Sequence, residues 1–250
     1  MAFLQINYYS RSLNMSTRIN AVVPDQGKDI PCLYLLHGIG GDCSSWERYG
    51  GIERHVEHRN MAVIMPETYL GAYANTAYGM NYWDYFTVEL PQFIGSMFPQ
   101  ISPEREKNFV AGQSMGGYGA FKLGMGTDRF CAAASMSGAL HDLGNPESAG
   151  SILRFGSPSL FEGIFGDLNL VRGSNNDIYA LAQKRLQSGK PIPKLYFSCG
   201  KQDPFYLANL GAKRLLGEMG IPFDYRESDG THDWEFWNTE IQNILEWLPI

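Results

Sequence analysis

The sequence predicts a three-layer α/β fold built on a mostly parallel sheet, and three observations carry the prediction. Short apolar runs recur along the chain without strict period-2 alternation, the pattern of strands buried on both faces. They alternate with helix-compatible stretches, the order expected of parallel strands joined by crossover helices. Only the start departs from this. Leu4 to Tyr9 and Arg18 to Val23 are β-favouring runs split by a polar turn around Asn14, which reads as an antiparallel hairpin at a sheet edge.

The buried strands are expected at Cys32 to Leu36, Met61 to Met65, Asn108 to Ala111, Cys131 to Met136, Lys194 to Ser198 and Phe223 to Glu227. Between them the helices fall at Gly51 to His58, Asp84 to Met97, Met115 to Met125, Asn176 to Gln187, Pro204 to Met219 and Asp233 to Trp247. Ala139 to Gly173 fits the alternation poorly. It is rich in Gly, Ser and Pro and carries isolated apolar residues such as Phe155, Phe161 and Ile164, so it reads as a small cap or excursion over a binding site. With no repeat, low-complexity tract or charged linker, residues 1–250 are expected to form one domain.

Composition excludes several classes of function. A chain of 250 residues with 44% hydrophobic and 13% aromatic content has ample core, and 20 basic against 26 acidic side chains, net −6, leave no broad footprint for nucleic acid. No apolar run approaches the roughly 20 residues needed to span a bilayer, and Met1 to Ser10 lacks the features of a secretory signal, so the expectation is a cytoplasmic protein with no membrane partner. The 4 cysteines have no CxxC spacing, and neither disulfides nor a thiol metal site are expected. His55 and His58 share a helix face, but no Asp, Glu or Cys set completes a metal site. Gly38, Gly40 and Gly41 lack the following residues of a nucleotide loop.

Chemistry concentrates at Gly112-Gln113-Ser114-Met115-Gly116, a G-x-S-x-G pattern. The pattern alone is cheap, but a strand runs into it and a helix opens behind it, the strand, sharp turn, helix arrangement that lifts a serine hydroxyl to the carboxyl end of a sheet. A serine at its free pKa is a poor nucleophile and needs a base, and the base needs an acid to fix its tautomer. His141 and His232 are the histidines downstream. His232 follows the last strand in a turn-rich segment, and chain order favours it as base. Asp203, just after the strand Lys194 to Ser198, is the candidate acid, with an N-cap of the next helix as its alternative reading. The N–H groups of Ile39, in the Gly-rich turn after the strand Cys32 to Leu36, and of Met115 are the candidate oxyanion donors. Trp46, Trp83 and Trp234 are candidates for the wall of an acyl or aryl pocket, ordinary core packing being the alternative.

Five segments occur in order: YLLHGIGGD followed by Trp46, NYWDYFTVELPQFI, GQSMGGYGA, CGKQDP and GTHDW. With them the chain resembles the esterase D and tributyrin-esterase-like branch of the α/β-hydrolases, related to S-formylglutathione hydrolases, feruloyl esterases and mycolyltransferases. The resemblance implies the α/β-hydrolase fold with an eight-stranded sheet, Ser114, Asp203 and His232 as catalytic triad, Ile39 and Met115 as oxyanion donors, and no cofactor. It also implies a small-molecule ester substrate with a short acyl chain, extending to acetylated or aromatic-acid carbohydrate esters, and homo-oligomers occur among such enzymes. S-formylglutathione hydrolases typically carry a cysteine soon after the oxyanion glycine and a histidine in the helix after the elbow. Gly41 and Tyr118 stand there instead, which turns the expectation from a thioesterase toward a serine carboxylesterase. A catalytically silent binding protein of the same fold is the rival from another class, and it would need neither Ser114 nor His232.

Overall fold

The computed structural model describes residues 1–142 and 154–250. Eight strands form one sheet in the order β1-β2-β4-β3-β5-β6-β7-β8. They are β1 (Ala2–Ser10), β2 (Met15–Val23), β3 (Cys32–Leu36), β4 (Ala62–Pro66), β5 (Asn108–Gln113), β6 (Ala132–Met136), β7 (Lys194–Gly200) and β8 (Asp224–Ser228). The β1–β2 hairpin is antiparallel and β2 meets β4 antiparallel, while every pair from β4 to β8 is parallel. This is the α/β-hydrolase fold with its N-terminal antiparallel hairpin.

Alternate residues of the central strands feed two separate cores, which is what makes the fold three layers deep. Tyr34, Leu36, Val110, Ala133 and Phe197 point to one side; Leu33, Leu35, Phe109, Ala111, Ala132 and Tyr196 point to the other. The first core packs under α4 (Leu90–Met97), α5 (Met115–Gly126) and α7 (Ile178–Gln187), and the second under α1 (Ser45–Arg48), α2 (Ile52–Val56) and α9 (Trp234–Trp247). Within α9, Phe236, Trp237, Ile241, Ile244 and Leu245 are buried at helical spacing, each contributing roughly 1.5 to 3 kcal/mol by leaving water. Helix α5 has no exposed face, since all its residues from Met115 to Met125 are buried. Among the described residues no helix is long and apolar enough to cross a membrane.

The structure departs from the sequence expectation at β8, which is a polar, mostly exposed edge strand rather than a buried one, and in its helices. The stretch expected as one helix at Gly51 to His58 is only Ile52–Val56, and a separate turn, Ser45–Arg48, precedes the Gly50-Gly51 pair. The stretch Asp84 to Met97 begins earlier, as α3 (Tyr82–Asp84), passes through a π-helical turn at Tyr85–Glu89 and only then becomes α4. Pro91 explains the wide turn: it has no N–H for a regular i→i−4 bond, and the N–H before it, on Leu90, reaches back to Tyr85 O. Helix α8 (Tyr206–Glu218) starts at Tyr206 rather than Pro204. In the excursion after Ala139, residues 143–153 lie outside the described residues; beyond them α6 (Pro158–Phe165) is capped by the Ser157 hydroxyl, which accepts from Leu160 N–H.

Two backbone features place the loops at the carboxyl ends of the strands. Between β5 and α5 the chain turns at Ser114, whose φ is 56°, and this turn forces backbone against backbone. A Cβ on Gly116 would sit 2.4 Å from Leu36 O, and one on Gly112 would sit 2.5 Å from Gly116 C. After β3, the loop beginning at His37 is held by the loop after β4. His37 Nδ1 donates to Gly38 O at 2.8 Å, and Nε2 faces Glu67 Oε1 at 3.0 Å and Thr68 N at 3.1 Å. Glu67 is fully buried and also accepts from the amides of Cys43 (3.2 Å) and Tyr69 (2.8 Å). Burial opposes its ionised form, but the contact with His37 together with those two amides outweighs it and holds its pKa below the usual value.

Two outcomes are expected. Gly116→Ala drives a Cβ into a carbonyl that cannot move without shifting β3, and should lower the urea-unfolding free energy by about 3 kcal/mol. Because Glu67 ionises more readily folded than unfolded, its stabilisation is present at neutral pH and is lost as the pH falls through its depressed folded value. Glu67→Gln should therefore lower stability at pH 7 and flatten the acid limb of the stability curve below about pH 4, measured by urea unfolding across pH.

Candidate active site

Ser114 stands at the carboxyl end of the central strand β5, where its N–H donates to Met136 O of β6 at 2.9 Å and its own carbonyl accepts from Ala139 N–H at 3.1 Å. A non-glycine residue at positive φ costs roughly 1 to 3 kcal/mol and persists only where the surroundings over-determine it. Here the two flanking strands and the buried helix α5 do so, leaving the hydroxyl raised above the sheet.

Two further loops bring their side chains to that hydroxyl. Asp203 follows β7 and is 5% exposed. Oδ2 and Oδ1 of its carboxylate lie 2.9 and 3.1 Å from His232 Nδ1, and Oδ1 accepts from Phe205 N–H at 2.7 Å; the N-cap reading is not met, because the next helix opens at Tyr206 with Phe205 at its N-cap and no side-chain cap. His232 precedes Asp233, whose side chain accepts from Phe236 N–H and caps α9, so the helix start fixes where the imidazole emerges. The two loops are stitched together, since Gln202 N–H donates to Gly230 O at 3.0 Å and Gly230 N–H donates to the Gln202 side chain at 2.8 Å. His232 Nε2 then lies 2.9 Å from Ser114 Oγ, with Nδ1 held as donor by the carboxylate. Phe155, Phe205 and Trp237 surround the imidazole at ring distances of 5.1, 5.1 and 5.0 Å, which shields the pair from water on those sides.

The amides of Ile39 and Met115 are the other two groups read from the sequence. Met115 opens α5, so its N–H is among those that a helix leaves unpaired. Ile39 N–H donates to none of the described residues, and the loop carrying it is fixed by His37 from one side and by Tyr73, whose hydroxyl donates to His37 O at 2.7 Å, from another.

Ser114 and Ile39 border two cavities of different character. A broad cleft of about 650 Å³ is rimmed by Arg18, Asp42, Arg48, Tyr49, Asp233 and Trp234. On the other side is a narrow space of about 50 Å³ lined by Met115, Tyr118, Phe155, Phe161, Ile164 and Phe205 among others, nearly all apolar. Of the three tryptophans singled out from the sequence, Trp234 lies in the cleft. Trp46 does not; it is 1% exposed, its indole N–H donates to Leu36 O at 3.0 Å, and its ring supports Trp234 edge-on at 5.0 Å. Trp83 borders neither cavity and instead packs beside Gly126 at the far end of α5, with Lys122 Nζ 5.0 Å from its ring. His141 stacks edge-on against Phe205 and is not hydrogen-bonded to Ser114 or His232.

Sequence reasoning did not single out Glu67 and Tyr73, which steady the loop of Ile39. The available signal for Glu67 was a carboxylate directly after an apolar strand, at the same end of the sheet as the other site residues.

A sequence profile of the Esterase family matches residues 10–248. The acetyl esterase of Caldicellulosiruptor saccharolyticus is 35% identical over 264 aligned residues, covering 99% of this chain and 98% of that protein. Among solved structures, the Staphylococcus aureus fluorophosphonate-binding serine hydrolase FphF superposes with a TM-score of 0.89 at 32% identity, covering 99% of this chain and 98% of that one. The S-formylglutathione hydrolase FrmB from Staphylococcus aureus superposes with a TM-score of 0.88, also at 32% identity and over the same shares of the two chains. The chain belongs to the Esterase family and is a serine esterase of the α/β-hydrolase fold.

Proposed function

We propose that Ser114 is the nucleophile, His232 the general base, Asp203 the carboxylate that orients it, and Ile39 and Met115 the oxyanion donors in the hydrolysis of short-chain acyl esters. The unbroken hydrogen-bonded series from Asp203 through His232 to Ser114 Oγ carries this reading. As the Ser114 oxygen bonds to the ester carbonyl carbon, His232 Nε2 takes the hydroxyl proton, and the imidazolium so formed is stabilised by Asp203. Negative charge develops on the former carbonyl oxygen, where the two backbone N–H groups meet it. Collapse breaks the bond to the alcohol oxygen, which leaves with the proton from His232. Water then repeats the sequence on the acyl-enzyme, and the acid departs.

The two cavities divide the substrate. The narrow apolar one suits the acyl chain: about 50 Å³ holds on the order of four water-sized groups at roughly 10 to 15 Å³ each. The cleft of about 650 Å³ suits the alcohol, and its aromatic and charged rim of Tyr49, Trp234, Arg18 and Arg48 supports acetylated or aryl carbohydrate esters as substrates. The acetyl esterase relative favours the same acyl size. Thioester hydrolysis is the second reading, favoured by the likeness to the S-formylglutathione hydrolase; Gly41 and Tyr118, standing where such enzymes typically carry Cys and His, weigh against it. We read residues 1–250 as one domain whose excursion from Ala139 to Gly173 contributes Phe161 and Ile164 to the acyl side. The four cysteines are free thiols, which favours a reducing, cytoplasmic setting.

Ser114→Ala should reduce kcat on p-nitrophenyl acetate by about 10⁴-fold or more with an unchanged unfolding midpoint; His232→Ala should cost as much and Asp203→Asn less. With the unsubstituted protein, kcat/KM along the p-nitrophenyl ester series should peak between acetate and butyrate and fall by at least about tenfold at octanoate, because methylenes beyond the cavity clash rather than bury. Steady-state kinetics on the series checks both expectations.

A further inference from the structure

Tyr118 lies one helical turn beyond Ser114, with its N–H donating to Ser114 O at 3.2 Å, and its ring borders the narrow cavity. Phe165 meets that ring edge-on at 6.3 Å. An apolar cavity cannot satisfy a phenol hydroxyl, and this one turns away from it to donate to Asn176 O at 2.7 Å. The Asn176 side-chain oxygen in turn accepts from Lys122 Nζ at 2.7 Å, and Lys122 also donates to Tyr73 O at 2.9 Å. Lys122 is 1% exposed, and among the described residues no carboxylate pairs with it. Instead its ammonium lies 5.0 Å from the Trp83 ring and 5.9 Å from the Tyr118 ring. Burial pushes its pKa down to about 7.

A lysine buried without a carboxylate is costly, and no step of ester hydrolysis uses this one. What its side chain does is join three segments beside the Tyr118 ring: the helix that carries the nucleophile, the turn at Tyr73 and the turn at Asn176. We propose that Tyr118 is the wall that limits acyl-chain length, and that Lys122 and Asn176 are positioning residues that lock its ring in place. A tyrosine free to change rotamer would let the cavity deepen; one pinned at its hydroxyl and held at its face cannot. The proposal rests on the assignment of Ser114 as nucleophile and of the narrow cavity as the acyl side, and it names the residue that ends that side.

The test is kcat/KM on p-nitrophenyl acetate, butyrate, hexanoate and octanoate for the unsubstituted protein, Tyr118→Ala, Tyr118→Phe and Lys122→Met, with circular dichroism to establish folding. The octanoate-to-acetate ratio should rise at least about tenfold in Tyr118→Ala, carried mainly by a lower KM for the long esters. In Tyr118→Phe and Lys122→Met, which keep a ring in the wall but free it, the ratio should rise by about threefold, so the proposal stays testable if Tyr118→Ala does not fold. A ratio within about twofold of the unsubstituted protein in the folded variants, or an equal loss on every ester in Lys122→Met, would overturn it. An unsubstituted protein that turns over esters no faster than Ser114→Ala would instead overturn the assignment of the nucleophile, and the chain-length wall with it.

Discussion

The turn at Ser114 is the constraint on which the rest of the structure depends. To hold a serine at a φ of 56° between a buried strand and a buried helix, β3, β5 and β6 must be in register on either side, and backbone must lie so close to backbone that neither Gly112 nor Gly116 can carry a side chain. The strain is borne by hydrogen bonds to Met136 and Ala139 and by the two cores that clamp the sheet. In return the hydroxyl and the first amide of α5 are set at one point above the carboxyl edge, where every parallel strand delivers its loop. The parallel order of the sheet is thus the reason that Asp203, His232 and Ile39, distant in sequence, converge on Ser114.

Convergence also requires loops that do not wander. The two that bring the acid and the base are cross-linked by Gln202 and Gly230 and finished by the Asp233 cap of α9, and three aromatic rings enclose the imidazole. The loop of Ile39 is held from below by a buried carboxylate, since Glu67, fully buried, meets His37 and two amides. Buried charge is expensive unless it is fully hydrogen-bonded, and here that condition is met by groups which are themselves parts of the site. Rigidity comes from polar contacts made to backbone, so the site remains ordered although most of it is loop.

How much of this could be read beforehand follows from the range of the interactions. The parallel strands β3 to β7 were legible because both their faces are buried and their residues are correspondingly apolar without alternation, whereas β8 is a polar edge strand with most of its residues exposed. The hairpin was legible from its β-favouring runs and polar turn. Ser114, Asp203 and His232 could be singled out because each follows a strand in a fixed chain order, a local signal. The π-helical turn before α4 was not seen, since it results from Pro91 within an otherwise unbroken helical pattern. Trp83, in the aromatic segment Asn81 to Tyr85, was open to both a pocket wall and core packing, and the packing of α3 sends it to the far end of α5, beside Lys122. Lys122 reads as one charge in a helix that its neighbours show to be buried, and its partners Tyr73 and Asn176 are about 50 residues away in either direction. Such long-range polar contacts leave no periodic trace in a sequence.

In the proposed reaction Ser114 becomes covalently acylated with the help of His232. Rapid acid quench of the protein with p-nitrophenyl acetate, followed by peptide mass spectrometry, tests this most directly. One acetyl group should appear on the peptide containing Ser114 in the unsubstituted protein and be absent in His232→Ala. An acetyl group on another residue during full turnover, or turnover with undiminished rate when Ser114 cannot be acylated, would contradict it.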